Sequence, residues 1–161
     1  MAHERGQDRV EIAIPLEHDD EGWPPLANEH LWAERLEDGN YRLDSVPWFA
    51  PALALDDVVR ATVDAEGRLR FVERLHWAGH LTVRVAPNPE APAPDDLQPL
   101  VEAFAAIGVR GEGAQPAFPI VALDIPPGAD LARIKALLVE GEEAGRWYFE
   151  EGCVSNAWVA I

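Results

Sequence analysis

A proline-rich segment divides this sequence into two parts with different hydrophobic periods. Four prolines fall within the eight residues 87–94, and such a run stiffens the chain and excludes regular secondary structure. Before it, apolar and polar residues alternate, which is typical of half-buried strands. After it, apolar residues recur every three or four positions, which is typical of helices packed on a core. We therefore expect an α+β chain in which a β-rich lobe precedes a mixed lobe.

The part before the prolines predicts antiparallel strands and no helix. An Asp-Gly turn signal within residues 37–40 joins two of the strands into a hairpin. We expect a small, barrel-like antiparallel lobe over residues 9–86, after a disordered tail at residues 1–8. The predicted strands cover residues 10–14, 31–36, 41–46, 57–63, 68–75 and 80–85.

The part after the prolines predicts strands that alternate with helices. One helix would be capped by Asp95 or Asp96 and a second by Asp130. With the strand at residues 80–86 shared between the lobes, residues 95–161 predict a ferredoxin-like βαββαβ lobe. Further strands are expected at residues 109–112, at residues 118–125, from residue 147 onwards, and as a short extra strand at residues 156–161 that packs Trp158.

Several segments resemble one protein family. They cover residues 31–34, 39–49, 57–59, 79–85, 121–127 and 141–153, and the last, which reads Gly-Glu-Glu-Ala-Gly-Arg-Trp-Tyr-Phe-Glu-Glu-Gly-Cys, is the most specific. Together they resemble a bacterial family described as a domain of unknown function (number 4265). The resemblance implies the architecture and a bacterial origin, and it brings no activity with it.

The chain is strongly acidic. It has 29 Asp and Glu against 13 Lys and Arg, which gives a formal net charge of −16. Such a charge repels nucleic-acid phosphates and anionic membranes and speeds encounter with basic partners. The acids are densest at residues 17–21 and 140–151. Two interpretations stay open: a solvated surface that keeps the protein soluble, or a contact surface for a basic protein.

The cysteine content and the first residues of the sequence indicate the cellular compartment. With one cysteine, no internal disulfide can form, which suits a reducing environment. The first eight residues are polar and lack the apolar segment of a secretory signal. We expect a cytoplasmic protein, either a monomer or a homodimer, with neither a membrane nor a nucleic acid as a direct partner.

Few residues offer catalytic chemistry. His80 as a general base and Cys153 as a nucleophilic thiolate are the candidates. A structural role is favoured for each. A histidine at a strand edge is more often held by a structural hydrogen bond, and Glu150 and Glu151 beside the cysteine oppose its ionisation. His76 lies four residues from His80, but a strand end does not bring residues at that spacing together. We therefore expect no metal and no cofactor.

The six tryptophans divide into two groups. Trp32 and Trp147 lie in strand patterns and are expected in the core. Trp23, Trp48 and Trp77 lie in loops, where they would either anchor a partner or cap the open end of the barrel. Together with the acids near the C-terminus, the expected binding residues are Trp23, Trp48, Phe49, Trp77, Glu142, Glu143, Glu150 and Glu151.

These features predict a non-enzymatic acidic protein-binding module, of the immunity-protein, antitoxin or inhibitor type. The alternative is a small enzyme or ligand-binding protein with a site between the two lobes near His80 and Cys153. Hydrogen-bond proximity of those two side chains would favour the alternative.

Overall fold

The chain folds into two compact units, one ending at Gly79 and the other beginning at His80. A computed structural model describes residues 9–94, 96–113 and 119–161. The predicted tail at residues 1–8 and the predicted helix cap Asp95 lie outside the described residues. In chain order the described elements are β1 (Arg9–Pro15), β2 (Asn28–Arg35), β3 (Tyr41–Leu43), β4 (Val58–Val63), β5 (Leu69–His76), β6 (Leu81–Pro87), α1 (Gln98–Ala105), β7 (Arg110–Gly113), β8 (Val121–Ile125), α2 (Leu131–Glu143), β9 (Trp147–Cys153) and α3 (Asn156–Val159).

The first unit is a closed barrel of strands β1 to β5, which confirms the predicted small barrel. Successive strands pair antiparallel, and β1 closes on β5 in parallel through Ile12 opposite Leu69 and Ala13 opposite Arg70. Alternation along the strands directs one set of side chains inward. This set forms the barrel core and includes Ile12, Ile14, Leu31, Ala33, Leu43 and Val59.

Two expectations for this barrel were wrong. The predicted strand over residues 41–46 ends at Leu43, because the Trp32 backbone N–H donates to Ser45 Oγ at 3.0 Å and a side chain replaces the ladder carbonyl. Trp32 itself does not lie in the core and is 42% exposed. Leu31 and Ala33 face inward, so alternation places Trp32 on the outer wall, where the Arg9 guanidinium lies 4.6 Å from its ring centre.

The second unit is a four-stranded antiparallel sheet in the order β7-β8-β6-β9. One sheet face carries the apolar side chains of the central strands, and α1 and α2 pack against it. The polar residues Thr82 and Arg84 alternate with these apolar ones on β6 and therefore point to the other face. The helix-covered core includes Leu81, Val83, Val85, Leu123, Leu100, Phe104, Ile134 and Leu138.

The helix ends follow their local sequence. The Asp130 side chain accepts from the Arg133 N–H at 3.1 Å and caps α2 as predicted. Asp96 lies one residue before the N-cap position of α1, which is Leu97, and its Oδ1 accepts from the Gln98 N–H at 3.1 Å. None of the helices in the described part of the chain is long and apolar enough to cross a membrane.

The C-terminal residues form a helix, so the strand expected at residues 156–161 was wrong. Ser155 caps α3, with its Oγ accepting from the Trp158 N–H at 3.3 Å. Lys135 Nζ donates to the Trp158 carbonyl oxygen at 3.0 Å, which also accepts from the Ile161 N–H at 3.3 Å at the helix end. Trp158 is fully buried, as expected.

Candidate functional site

The loop between β1 and β2 holds Trp23 in a fixed position. Asp19 Oδ1 accepts from the backbone N–H groups of Glu21 at 2.9 Å and Trp23 at 2.8 Å. His18 Nδ1 donates to the Pro24 carbonyl oxygen at 2.7 Å. The Trp23 side chain nevertheless stays 43% exposed. The loop therefore exposes the Trp23 indole on a backbone that is already fixed by hydrogen bonds.

The surroundings of this indole are acidic. Glu17, Asp20 and Glu21 are exposed on the same loop, and residues 16–27 contain neither lysine nor arginine. The Trp23 ring meets the Phe49 ring edge-on, with 5.7 Å between the ring centres. The structure thus brings together two of the predicted binding aromatics and one of the two predicted acidic runs.

A buried glutamate organises the second aromatic loop, residues 47–57. Glu29 is only 4% exposed. Its Oε1 accepts from the Trp48 N–H at 2.6 Å, and its Oε2 accepts from the N–H groups of Phe49 at 2.8 Å and Ala50 at 2.7 Å. Successive N–H groups that converge in this way form an anion-binding nest. Here the protein's own carboxylate fills the nest and fixes the backbone that carries Trp48 and Phe49.

A buried aspartate ties the end of this loop to the segment after β5. Asp57 Oδ2 accepts from the Ala54 N–H at 3.0 Å and lies 3.4 Å from Arg74 Nη1. Its Oδ1 accepts from the Ala78 N–H at 3.1 Å. The neighbouring Trp77 is 39% exposed. One carboxylate therefore positions both the aromatic loop and the backbone next to Trp77.

Stability should depend on the titration of Asp57. Burial raises the pKa of Asp57 above its ordinary 3.8, although hydrogen bonds from Ala78 and Ala54 and the Arg74 charge lower it. The folded protein therefore holds this proton at a pH where the unfolded chain has lost it. The contribution of Asp57 to the free energy of unfolding then falls as pH rises from about 3.8 through the raised pKa.

The measurement is urea unfolding at a series of pH values between about 3 and 7. Asp57→Asn is expected to flatten this part of the pH profile relative to the wild type. Asp20→Asn, which alters an exposed acid of the same unit, serves as the control and should leave the profile in place. An unchanged slope in Asp57→Asn would show that Asp57 does not titrate in this range.

In the second unit, a polar row crosses three strands on the sheet face opposite the helices. Thr82 of β6 pairs with Asp124 of β8 on one side and with Cys153 of β9 on the other. His80 Nδ1 lies 2.7 Å from Asp124 Oδ1, and both side chains are largely buried. Asp124 and Cys153 are therefore two strand spacings apart, about 10 Å between their Cα atoms. The structure joins His80 to Asp124 and places Cys153 beyond Thr82.

A buried arginine lies in the next row of the same face. Arg84 Nη1 lies 3.8 Å from Glu150 Oε1. A Cβ atom on Gly152 would lie 2.6 Å from Arg84 Nη1, so the glycine leaves room for the guanidinium. An imidazole oriented by a carboxylate can act as a general base, and a guanidinium can bind a carboxylate or phosphate. This face of the sheet thus holds an imidazole–carboxylate pair that could act in catalysis and a guanidinium that could bind an anion.

The second predicted acidic run lies at the end of α2 and along β9. Glu142 and Glu143 are exposed in the last turn of the helix, where the helix dipole disfavours negative charge. Glu150 and Glu151 are exposed on β9, an edge strand of the sheet. His76 ends β5. Among the described residues, no group of three His, Cys, Asp or Glu side chains is placed to share a metal ion.

Sequence reasoning missed the buried charged residues Glu29, Asp57, Arg84 and Asp124. Asp124 gave a usable signal, because a carboxylate inside the apolar strand Val-Ala-Leu-Asp-Ile needs a buried partner. Glu29 and Asp57 gave none, since most of their partners are backbone N–H groups of distant loops.

Comparison with known proteins agrees with this architecture. The model of the family described as Domain of unknown function (DUF4265) matches residues 29–149. A solved structure described as a novel crystal structure of a hypothetical protein from Neisseria gonorrhoeae has a TM-score of 0.73 at 22% sequence identity, covering 91% of this chain and 96% of that chain. At this identity the likeness shows the fold alone. A search of curated proteins gave no match.

Proposed function

We propose that this chain, which belongs to the family described as Domain of unknown function (DUF4265), is a non-enzymatic module that binds a basic segment of another protein. The observation that carries the proposal is Trp23. Its indole is 43% exposed although its backbone is fixed by Asp19, and it lies in a loop rich in carboxylates.

This combination suits a lysine or arginine side chain of the partner. The face of a tryptophan ring attracts a cation, and adjacent carboxylates add Coulomb attraction. Because the loop is already hydrogen-bonded, binding costs less ordering entropy than a flexible loop would. The net charge of −16 would further steer a basic partner toward the protein.

Trp23→Ala is expected to weaken binding of a synthetic arginine-rich peptide by roughly tenfold to a hundredfold, as loss of an aromatic anchor does. The measurement is a low-salt titration of protein whose tryptophan indoles are labelled with ¹⁵N. The Trp23 indole N–H signal should shift as peptide is added and reach a plateau when the site is saturated. The indoles of Trp147 and Trp158, which are buried in the core of the second unit, should not.

Trp32→Ala provides the matched control. Trp32 is exposed to nearly the same extent, 42% against 43% for Trp23, but the Arg9 guanidinium already lies over its ring. Its removal should leave peptide affinity unchanged. Equal weakening by the two substitutions, or no saturable shift at the Trp23 indole, would refute the proposal.

A second candidate is catalysis or ligand binding at the polar row of the second unit. It is favoured by the 2.7 Å contact between His80 Nδ1 and Asp124 Oδ1, which resembles the way a carboxylate orients a catalytic imidazole. If His80 also acts on the thiol beyond Thr82, iodoacetamide should alkylate Cys153 more slowly in His80→Gln than in the wild type. An unchanged alkylation rate would eliminate the pair as a catalytic unit.

We also propose that the second unit has a ferredoxin-like architecture and that the protein is cytoplasmic. The element order β6-α1-β7-β8-α2-β9 and the strand order β7-β8-β6-β9 support the first proposal. The buried Cys153, which forms no disulfide, supports the second.

A further inference from the structure

A groove of about 400 Å³ lies on the barrel beside β1 and the β4–β5 hairpin. Strand β1 pairs with β5 only through Ile12 and Ala13. Its first residues, from Arg9 to Glu11, therefore precede the start of the parallel β5 and adjoin the hairpin turn instead. The volume is within the range of small-molecule sites.

The groove lining combines an apolar surface with cationic groups. Val10, Val63 and Leu69 supply the apolar part, Arg35, Arg68 and His30 supply nitrogen donors, and Glu11 supplies one carboxylate. Val63 is among the most exposed large apolar side chains in the described chain. Apolar surface next to a few convergent polar groups is the usual composition of a ligand site.

The three nitrogen-donor side chains differ in what already pairs with them. Arg68 forms ion pairs with Glu66 and Asp64, and His30 Nδ1 lies 3.1 Å from Glu11 Oε1. Within the described ranges, no carboxylate forms an ion pair with the Arg35 guanidinium, which lies 5.8 Å from the centre of the Tyr41 ring. Arg35 is thus the groove cation with capacity for an external anion.

We propose that this groove binds a small carboxylate with an apolar body, such as a medium-chain fatty acid. The carboxylate pairs with the Arg35 guanidinium, whose planar fork matches it with two parallel hydrogen bonds. The hydrocarbon body covers Val10, Val63 and Leu69 and removes their apolar surface from water. This site is independent of the basic partner proposed for Trp23, since it takes a ligand of opposite charge.

The test is a titration of the full chain with decanoate, followed by ¹H–¹⁵N NMR. Saturable shifts are expected at the amides of Val10, Val63 and Leu69. Arg35→Gln should weaken decanoate binding about tenfold or more. Arg133→Gln, which removes an exposed arginine of the second unit, should bind decanoate as the wild type does.

A second variant and a second probe separate charge recognition from simple apolar contact. Val63→Asp adds a carboxylate at an exposed groove position and should also weaken decanoate binding while the fold is kept. Decylamine has the same hydrocarbon chain with a positive charge, so it should not produce the same shifts. Equal affinity in Arg35→Gln, equal shifts with decylamine, or decanoate shifts confined to other residues would each overturn the proposal.

Discussion

Replacing Gly141 by alanine should destabilise the second unit by about 3 kcal/mol or more, at the upper end of the usual cost of overpacking. A Cβ atom at this buried position of α2 would lie 2.0 Å from Cε2 and 2.1 Å from Cζ2 of Trp147. The indole is held by its Nε1 hydrogen bond to the Leu138 carbonyl oxygen at 3.0 Å, and the Phe104 ring packs against it. The gain in helix propensity, about 1 kcal/mol, offsets only part of this cost.

Urea unfolding with a matched control tests this expectation. Glu142→Ala changes the next residue of α2, which is exposed, and should alter the free energy of unfolding by no more than about 0.5 kcal/mol. In a Trp147→Phe background, the smaller phenyl ring replaces the two-ring indole. Gly141→Ala should then lower the free energy of unfolding much less. If the cost were the same in both backgrounds, contact with the indole would not be its cause.

The fold was largely predictable because most elements carry a local signal. Alternation and turn residues located the barrel strands, and Asp130 located the start of α2. Trp32 shows where this reasoning failed: its position in a strand pattern suggested the core, but its register between Leu31 and Ala33 placed it outside. The last residues were too few for their hydrophobic period to distinguish strand from helix, and the caps from Ser155 and Lys135 decide the outcome.

The candidate site was predictable only in part. Flanking prolines and glycines in the sequence indicated that Trp23 and Trp77 lie in loops, and both are exposed. Trp48 and Phe49 are only partly exposed, because the backbone that carries them is bound to Glu29. That contact joins positions about twenty residues apart through backbone atoms, so the pattern of residue types in the sequence does not reveal it.

Glu29→Gln should therefore have a large effect, lowering the free energy of unfolding by about 3 kcal/mol. The carboxylate oxygens accept from the N–H groups of Trp48, Phe49 and Ala50. Hydrogen bonds to a charged acceptor are stronger than neutral ones. In glutamine an NH₂ group replaces one oxygen and opposes a backbone N–H, so at least one buried donor loses its acceptor.

The local consequence separates this role from a general loss of stability. Hydrogen exchange at the amides of Trp48, Phe49 and Ala50 should accelerate in Glu29→Gln more than exchange in β1 and β2. Glu34→Gln on the same strand, where the glutamate is exposed and paired with Arg42, should leave these amides protected. Unchanged protection in Glu29→Gln would show that the carboxylate does not hold the loop.

The same variant connects the fold of the first unit to the proposed function. The Phe49 ring supports the Trp23 indole, and Glu29 fixes the backbone of Phe49. Glu29→Gln should therefore weaken binding of the arginine-rich peptide, although the buried carboxylate cannot reach a ligand at the surface. If exchange accelerates at Phe49 while peptide affinity stays at the wild-type value, Trp23 binds through its own loop alone. In that case the aromatic loop at residues 47–57 stabilises the barrel and has no part in recognition.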